Sequence, residues 1–349
     1  MKITLHKVTL NKRFPLAISR GVRYNSENLF VRYEKDGIFG WGEAAPGKTE
    51  GAGTISQVKQ SIEKFISEGI EGQSIQKLYD RSRQSDVPPC AYVGLDTAFW
   101  DWTAKKAGMP LYQMLGFSKP FRPTSITIGI NTPEVVKERV PLLLEGTTVK
   151  SLKIKLGSPE GIEADKSMFE QVVESTRKYD VKIRVDANGG WNLSDAKKMT
   201  PWLAERGVDY IEQPLKEGEE GYLKELYKNR ALPIYVDESC RFSEDIPSFA
   251  EHVDGVNMKL MKCGGITEAL RIIGTARAYK LKTMIGCMSE SSVSIAAAAS
   301  LTGGIDHIDL DSHYNLSPDP AMGAPLINGI TLPQEIPGHG AELKKEFYA

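Results

Sequence analysis

Short β-rich runs recur through the chain: Ser125–Gly129, Ser151–Leu156, Lys182–Asp186, Tyr210–Glu212, Ile234–Asp237, Gly255–Leu260, Lys282–Gly286 and His307–Leu310. Helix-period segments separate most of them, such as Ile162–Lys178, Asp195–Arg206 and Thr267–Ala278. This rhythm is the strongest constraint on the fold. A chain that leaves a strand, crosses back through a helix and enters the next strand pairs the two in parallel. Eight such strands at this spacing predict a (β/α) barrel, with a doubly wound open sheet as the alternative that spacing alone leaves open. At 349 residues the chain has room for a barrel of roughly 250 residues and an addition.

The addition lies ahead of the barrel. Asn28–Glu34 and Ile38–Glu43 flank Lys35-Asp36-Gly37, a hairpin signal, and Ile3–Leu10 alternates loosely before them. Helical patterns follow at Ile55–Ser67 and Cys90–Lys106, the second ending at Gly108 with Pro110 beyond. Strands followed by helices predict an α+β unit over residues 1–120, with Lys119-Pro120-Phe121-Arg122-Pro123 as linker.

Charge and cysteine usage exclude several classes. Lys and Arg number 44 against 45 Asp and Glu, giving a net charge of −1. That balance speaks against nucleic-acid binding by counterion release and against a polybasic membrane surface. No apolar run reaches the ~20 residues of a membrane span. Cys90, Cys240, Cys263 and Cys287 have no paired spacing, so free thiols are expected rather than a disulfide framework or a zinc site. The N-terminus carries basic residues without an apolar core, so a cytoplasmic location is expected.

In a barrel the C-terminal ends of the strands meet at one mouth. Three successive runs end in acids: Asp186, Glu212 and Asp237. Three anions in one space repel, and a hard divalent cation such as Mg²⁺, in an all-oxygen shell, relieves the repulsion. Lysines flank the acids. Lys155 closes the second run, with Lys153 on the same strand face, and Lys259 lies in the sixth. This order places lysines on opposite sides of the acids, which suits taking a proton from one face of a carbon and returning one to the other. A nearby cation would lower a lysine's pKa toward the range of a general base. Lys153 would supply such a field or meet a substrate carboxylate. On the eighth run, Asp309 and Asp311 share a face and form either a receptor for an ammonium group or a solvated strand end. In the seventh unit, Gly286-Cys287-Met288-Ser289-Glu290-Ser291, the serines read as helix caps and Met288 as a pocket wall.

These elements resemble the enolase superfamily, in its muconate lactonizing enzyme subgroup. The matching pieces are Lys153-Ile154-Lys155, Asp186-Ala187-Asn188, Glu212-Gln213-Pro214, Asp237-Glu238-Ser239 and Asn257 to Gly265, together with Gly40-Trp41-Gly42-Glu43-Ala44 near the N-terminus. The resemblance covers nearly the whole chain. It implies a modified TIM barrel, (β/α)7β, over 121–315, capped by an α+β domain made from 1–120 and a C-terminal tail, 316–349. It implies Mg²⁺ on Asp186, Glu212 and Asp237, and Lys155 and Lys259 as the acid/base pair. Asp309-Leu310-Asp311 is similar to the dipeptide epimerases, where the paired aspartates hold the substrate's α-ammonium group. The expected reaction is therefore epimerisation of an L-Ala-L-Xaa dipeptide at its C-terminal α carbon. The alternatives are an N-acylamino acid racemase, an o-succinylbenzoate synthase or a muconate-type cycloisomerase. In the family, side-chain specificity comes from cap loops, here Leu16–Asn25 with Arg20 and Arg23, and Ala45–Thr54. Either arginine is a candidate receptor for an acidic side chain or an ordinary surface residue. Some Ala-Glu epimerases carry a lysine where this chain has Ser291-Ser292, a departure that speaks against strict Ala-Glu specificity. Family members are often homo-oligomers.

Overall fold

The structure, a computed structural model, describes residues 1–348. The chain opens with an antiparallel meander of β1 (Lys2–Ile18), β2 (Gly21–Lys35) and β3 (Ile38–Ala44). Asp36 and Gly37 turn the β2–β3 hairpin at φ 54° and 74°, the left-handed pair that matches strand twist. β1 and β2 run much further than their hydrophobic alternation indicates. The distal half of β2 is largely exposed and that of β1 half-buried, and together they form a long hairpin whose tip is Ser19–Arg20. The segment expected as a cap loop, Leu16–Asn25, is this hairpin.

Helices α1 (Ile55–Ser67), α2 (Ile75–Gln84), α3 (Pro89–Ala107) and α4 (Leu111–Met114) follow. Helix α1 starts at a Thr54/Gln57 capping box and buries Ile55, Val58, Ile62 and Phe65 on one face. Helix α3 is buried along most of its length and stops at Gly108, whose φ of 69° is the usual helix-ending conformation.

The barrel begins after an irregular stretch at 116–125. Its strands are β4 (Ile126–Ile128), β5 (Ser151–Lys155), β6 (Lys182–Asp186), β7 (Val208–Glu212), β8 (Ile234–Val236), β9 (Gly255–Met258), β10 (Lys282–Ile285) and β11 (His307–Ile308). They pair in parallel and in chain order. A parallel bridge from Thr124 to Ile308, with Ser125 N–H donating to Ile308 O at 3.1 Å, joins the first strand to the last. The sheet therefore closes, and the open-sheet alternative falls. The helices α5 (Pro133–Leu144), α6 (Ile162–Thr176), α7 (Leu193–Ala204), α8 (Leu223–Tyr227), α9 (Leu260–Cys263), α10 (Ile266–Ala278) and α11 (Ser292–Ala299) fill the connections. Only 3-10 turns, Ser243–Ser248 and Ala250–His252, link β8 to β9. β11 is followed by a 3-10 turn, Ser312–Asn315, and an extended tail. The tail returns to the N-terminal unit: Leu111 N–H donates to Gly338 O at 2.7 Å, and His339 touches both Asp101 and Trp41 O.

Two buried acids seal the N-terminal unit to the barrel, each at the start of a barrel helix. Asp96 of α3 accepts from the Thr267 hydroxyl at 2.5 Å and its N–H at 3.1 Å, at the head of α10. Glu43 of β3 accepts from Ser291 N–H and Oγ, Ser294 N–H and Asn28 Nδ2, at the head of α11. Helix N-termini present unpaired N–H groups and partial positive charge, so a carboxylate suits both positions. Burial nonetheless pushes each acid up to about 7. The Gly-Trp-Gly-Glu run explains how Glu43 arrives there. A Cβ on Gly42 would sit 2.0 Å from Gly94 O, and one on Gly40 2.1 Å from Ala98 O, so only glycines let β3 lie against α3.

Three substitutions separate these effects in urea denaturation. Gly42→Ala loses about 3 kcal/mol or more through overpacking. Glu43→Ala loses about 3–5 kcal/mol, because several buried donors lose their acceptor. Gly274→Ala, mid-helix in α10 with nothing within 4 Å of the added methyl, gains about 1 kcal/mol. A neutral Glu43→Ala would contradict the sealing role.

Candidate active site

The mouth of the barrel brings together the acids and lysines singled out in the sequence. β6 and β7 end on Asp186 and Glu212, and Asp237 directly follows β8. One oxygen from each lies within 4.8 Å of the others, and all three side chains are buried. Four lysines converge on them. Lys155 Nζ is 2.5 Å from Asp186 Oδ2. Lys259 Nζ is 2.6 Å from Asp237 Oδ2, on the far side of the triad. Lys153 Nζ, wholly buried, meets Glu212 Oε2 at 2.6 Å, Asp309 Oδ2 at 2.7 Å and Asp186 Oδ2 at 3.1 Å. Lys262 donates to Asp237 Oδ1 at 2.7 Å, to Asn257 O at 2.8 Å and to the Asp237 carbonyl.

The electrostatics follow from this pairing. Burial acts to raise Asp186, but Lys155 and Lys153 overcome it and hold its carboxyl below the usual range. Burial is likewise overcome at Asp237 by Lys259 and Lys262, and its carboxyl falls well below its ordinary value. Glu212 goes the other way: burial, with Asp186 beside it, pushes it up to about 8 despite Lys153. Three oxygen donors from three strands, at this spacing, fit a hard divalent cation such as Mg²⁺.

With no cation beside it, Lys259 is governed by Asp237: burial acts to lower its pKa, and direct contact with that carboxylate raises it. Lys153, expected either to supply a field to Lys155 or to meet a substrate carboxylate, is wholly buried and bridges Asp309 to Glu212 and Asp186.

Asp309 and Asp311 lie past the short β11, not within it. Each has one oxygen committed and one spare. Asp309 Oδ2 takes Lys153, and its Oδ1 is buried without a hydrogen-bond partner. Asp311 Oδ2 accepts Thr127 N–H at 2.6 Å, and its Oδ1 meets only the Cys287 thiol at 3.8 Å. Burial, then repulsion from Asp309, pushes Asp311 up to about 6. Both aspartates, Lys155 and Met288 line one cavity of about 250 Å³.

Arg20 and Arg23 take different positions. Arg20, at the β1–β2 tip, donates to Asn188 O at 2.9 Å and Glu238 Oε1 at 2.7 Å. Ser19 Oγ reaches the same Asn188 carbonyl at 2.8 Å, and Ala17 O accepts Ile130 N–H at 2.8 Å. The hairpin is thereby clamped over the mouth, and Arg20 is spent on that clamp. Arg23 is exposed, without an ion pair among the described residues. Sequence reasoning passed over Asn257, whose Nδ2 donates to Glu212 Oε1 at 2.8 Å, and Gln213, whose Oε1 accepts Asp237 N–H at 2.7 Å. Gln213 and Asn188 have φ of 37° and 45°, rare for non-glycine residues and typical of functional turns. Lys262 and Asn257 stood inside a recognised motif, but their spacing carried no sign of their partners.

Residues 136–347 match the family described as enolase C-terminal domain-like, and residues 1–116 match the mandelate racemase / muconate lactonizing enzyme N-terminal domain. The chain is 79% identical, over the full length of both, to a hydrophobic dipeptide epimerase of Flavobacteria bacterium (strain MS024-2A). It is 57% identical to a hydrophobic dipeptide epimerase of Roseobacter litoralis, over 98% of this chain and 99% of the other. The crystal structure of a dipeptide epimerase from Enterococcus faecalis, complexed with Mg and L-Leu-L-Tyr, superposes with a TM-score of 0.90 at 32% identity, covering 97% of this chain and 98% of that one. The chain belongs to the enolase superfamily, with the N- and C-terminal domains of its mandelate racemase and muconate lactonizing enzyme branch.

Proposed function

We propose that the protein is a Mg²⁺-dependent dipeptide epimerase that inverts the α carbon of the C-terminal residue. The observation that carries this reading is that Lys155, ending β5, and Lys259, just past β9, pair with the first and last acids of a triad carried by the strands between them. The α-hydrogen of a carboxylic acid is very weakly acidic, and its removal leaves negative charge on the carboxylate. Bound at Asp186, Glu212 and Asp237, Mg²⁺ would supply Lewis-acid stabilisation of that charge.

The chain's own groups do the rest. One lysine, neutral at Nζ, takes the α-proton, and the C–H electron pair moves into the substrate carboxylate. The opposite lysine, as an ammonium, gives a proton to the other face. Protons balance: one base gains what one acid loses, and the roles exchange in the reverse direction. Lys153 fixes the triad and Asp309 in register. The spare oxygens of Asp309 and Asp311 receive the free α-ammonium, which distinguishes a dipeptide from N-acylated substrates. The β1–β2 hairpin, held by Arg20, shields the mouth from water. The two high-identity relatives support a preference for hydrophobic dipeptides.

Incubation of an L,L-dipeptide panel in D₂O tests the reading. Hydrophobic members gain one mass unit at the C-terminal α position with Mg²⁺ and none after chelation. Asp309→Asn raises KM for dipeptides by about 10- to 100-fold, the value of a charge-assisted hydrogen bond. Failure of every dipeptide to exchange, or exchange insensitive to Mg²⁺, overturns the proposal.

A further inference from the structure

The triad and Lys259 are not part of the cavity wall; the cavity runs the other way, down the flank of the barrel. It starts at Lys155, Asp309 and Asp311, then passes between β4, α5, the irregular part of β1 and the tail after β11. This is the flank where β11 is followed by a turn and an extended tail rather than by a helix. The walls are mostly apolar, with Phe14, Leu16, Ile126, Leu143, Val149 and Leu326 among them. Its volume of about 250 Å³ far exceeds the roughly 10–15 Å³ that holds one water. Cations also face it: Lys12, Arg13 and Arg139, the last with its guanidinium 4.6 Å over the Phe14 ring.

We propose that this cavity receives the side chain of the dipeptide's N-terminal residue, and that it selects a large uncharged apolar side chain over alanine and rejects a cationic one. The inference rests on the dipeptide reading above. Its own support is the inner end of the cavity. Asp309 is 4% exposed, and its Oδ1 has no hydrogen-bond partner. A buried carboxylate oxygen in that state calls for a donor, and an ammonium satisfies it. The side chain of an amino acid hangs on the carbon that bears its ammonium. Fixing the ammonium at Asp309 and Asp311 therefore sets the side chain at the head of the cavity. Apolar walls reward each carbon that leaves water. A lysine or arginine side chain entering the same space would meet the like charges of Lys12 and Arg139.

The test is a series with a constant second residue: L-Ala-L-Ala, L-Val-L-Ala, L-Leu-L-Ala and L-Lys-L-Ala, read as kcat/KM for α-deuteration. The expected rise is about fourfold for each added buried carbon, with L-Lys-L-Ala at or below L-Ala-L-Ala despite its length. Val149→Phe, which fills part of the cavity, brings the L-Leu-L-Ala rate down toward that of L-Ala-L-Ala. Equal rates across the series, or a best rate with L-Lys-L-Ala, overturn the cavity assignment while leaving the dipeptide reading intact. Exchange with no dipeptide overturns both. The native series decides the matter even if Val149→Phe fails to fold.

Discussion

The buried charge ring at the barrel mouth is the interaction on which the rest depends. Carboxylates of Asp186, Glu212, Asp237 and Asp309 interleave with ammonium groups of Lys153, Lys155, Lys259 and Lys262. Taking so many charges out of water is costly unless each meets an opposite partner at close range. Strand ends supply that precision, because parallel neighbours keep register: Lys155 lies opposite Asp186, and Asp186 opposite Glu212. The lysines thereby acquire fixed positions on either side of the acids, and fixed positions are what a two-sided proton transfer requires.

The ring also explains the architecture around it. A buried charged site works only if water is kept out, and the N-terminal unit does this. Asp96 and Glu43 anchor it at the heads of α10 and α11, and the β1–β2 hairpin is pinned at Asn188 and Glu238, next to two of the ring's acids. The same anchors bear on the substrate side. Glu43 holds the start of α11, and with Asn28, which donates to Ser289 O at 2.8 Å, it fixes the loop that presents Met288 to the cavity. Ser291 and Ser292 are used as helix-start residues bound by Glu43 and Asp319.

Much of this was legible in the sequence for a simple reason. Strand ends in a parallel barrel face one place, so acids and lysines that close successive β-rich runs announce a shared site without any knowledge of distances. What stayed hidden depends on tertiary context. The length of β1 and β2 was hidden because the outer half of β2 is exposed on both faces and that of β1 is broken by a register shift between Asn11 and Leu16. Helix α2 was hidden because Ile75–Gln84 is mostly polar. Arg20 stood open between a receptor for an acidic side chain and a surface arginine, because spacing could not show Glu238 as its partner. Alternation gave the face of the strand on which Lys153 lies but not the depth at which its side chain ends, so its bridge from Asp309 to the triad was hidden.

The central claim is that Lys155 and Lys259 address opposite faces of one carbon, and separating the two half-reactions tests it most directly. Lys155→Ala and Lys259→Ala are each given the L,L and L,D forms of one hydrophobic dipeptide in D₂O with Mg²⁺, and α-deuteration is followed by NMR. The account predicts that each variant loses epimerisation by on the order of 10²–10⁴-fold. Each keeps wash-out of the α-proton from only one diastereomer, and the two variants retain opposite ones. Retention of exchange from the same diastereomer in both variants, or unimpaired epimerisation in either, would contradict it.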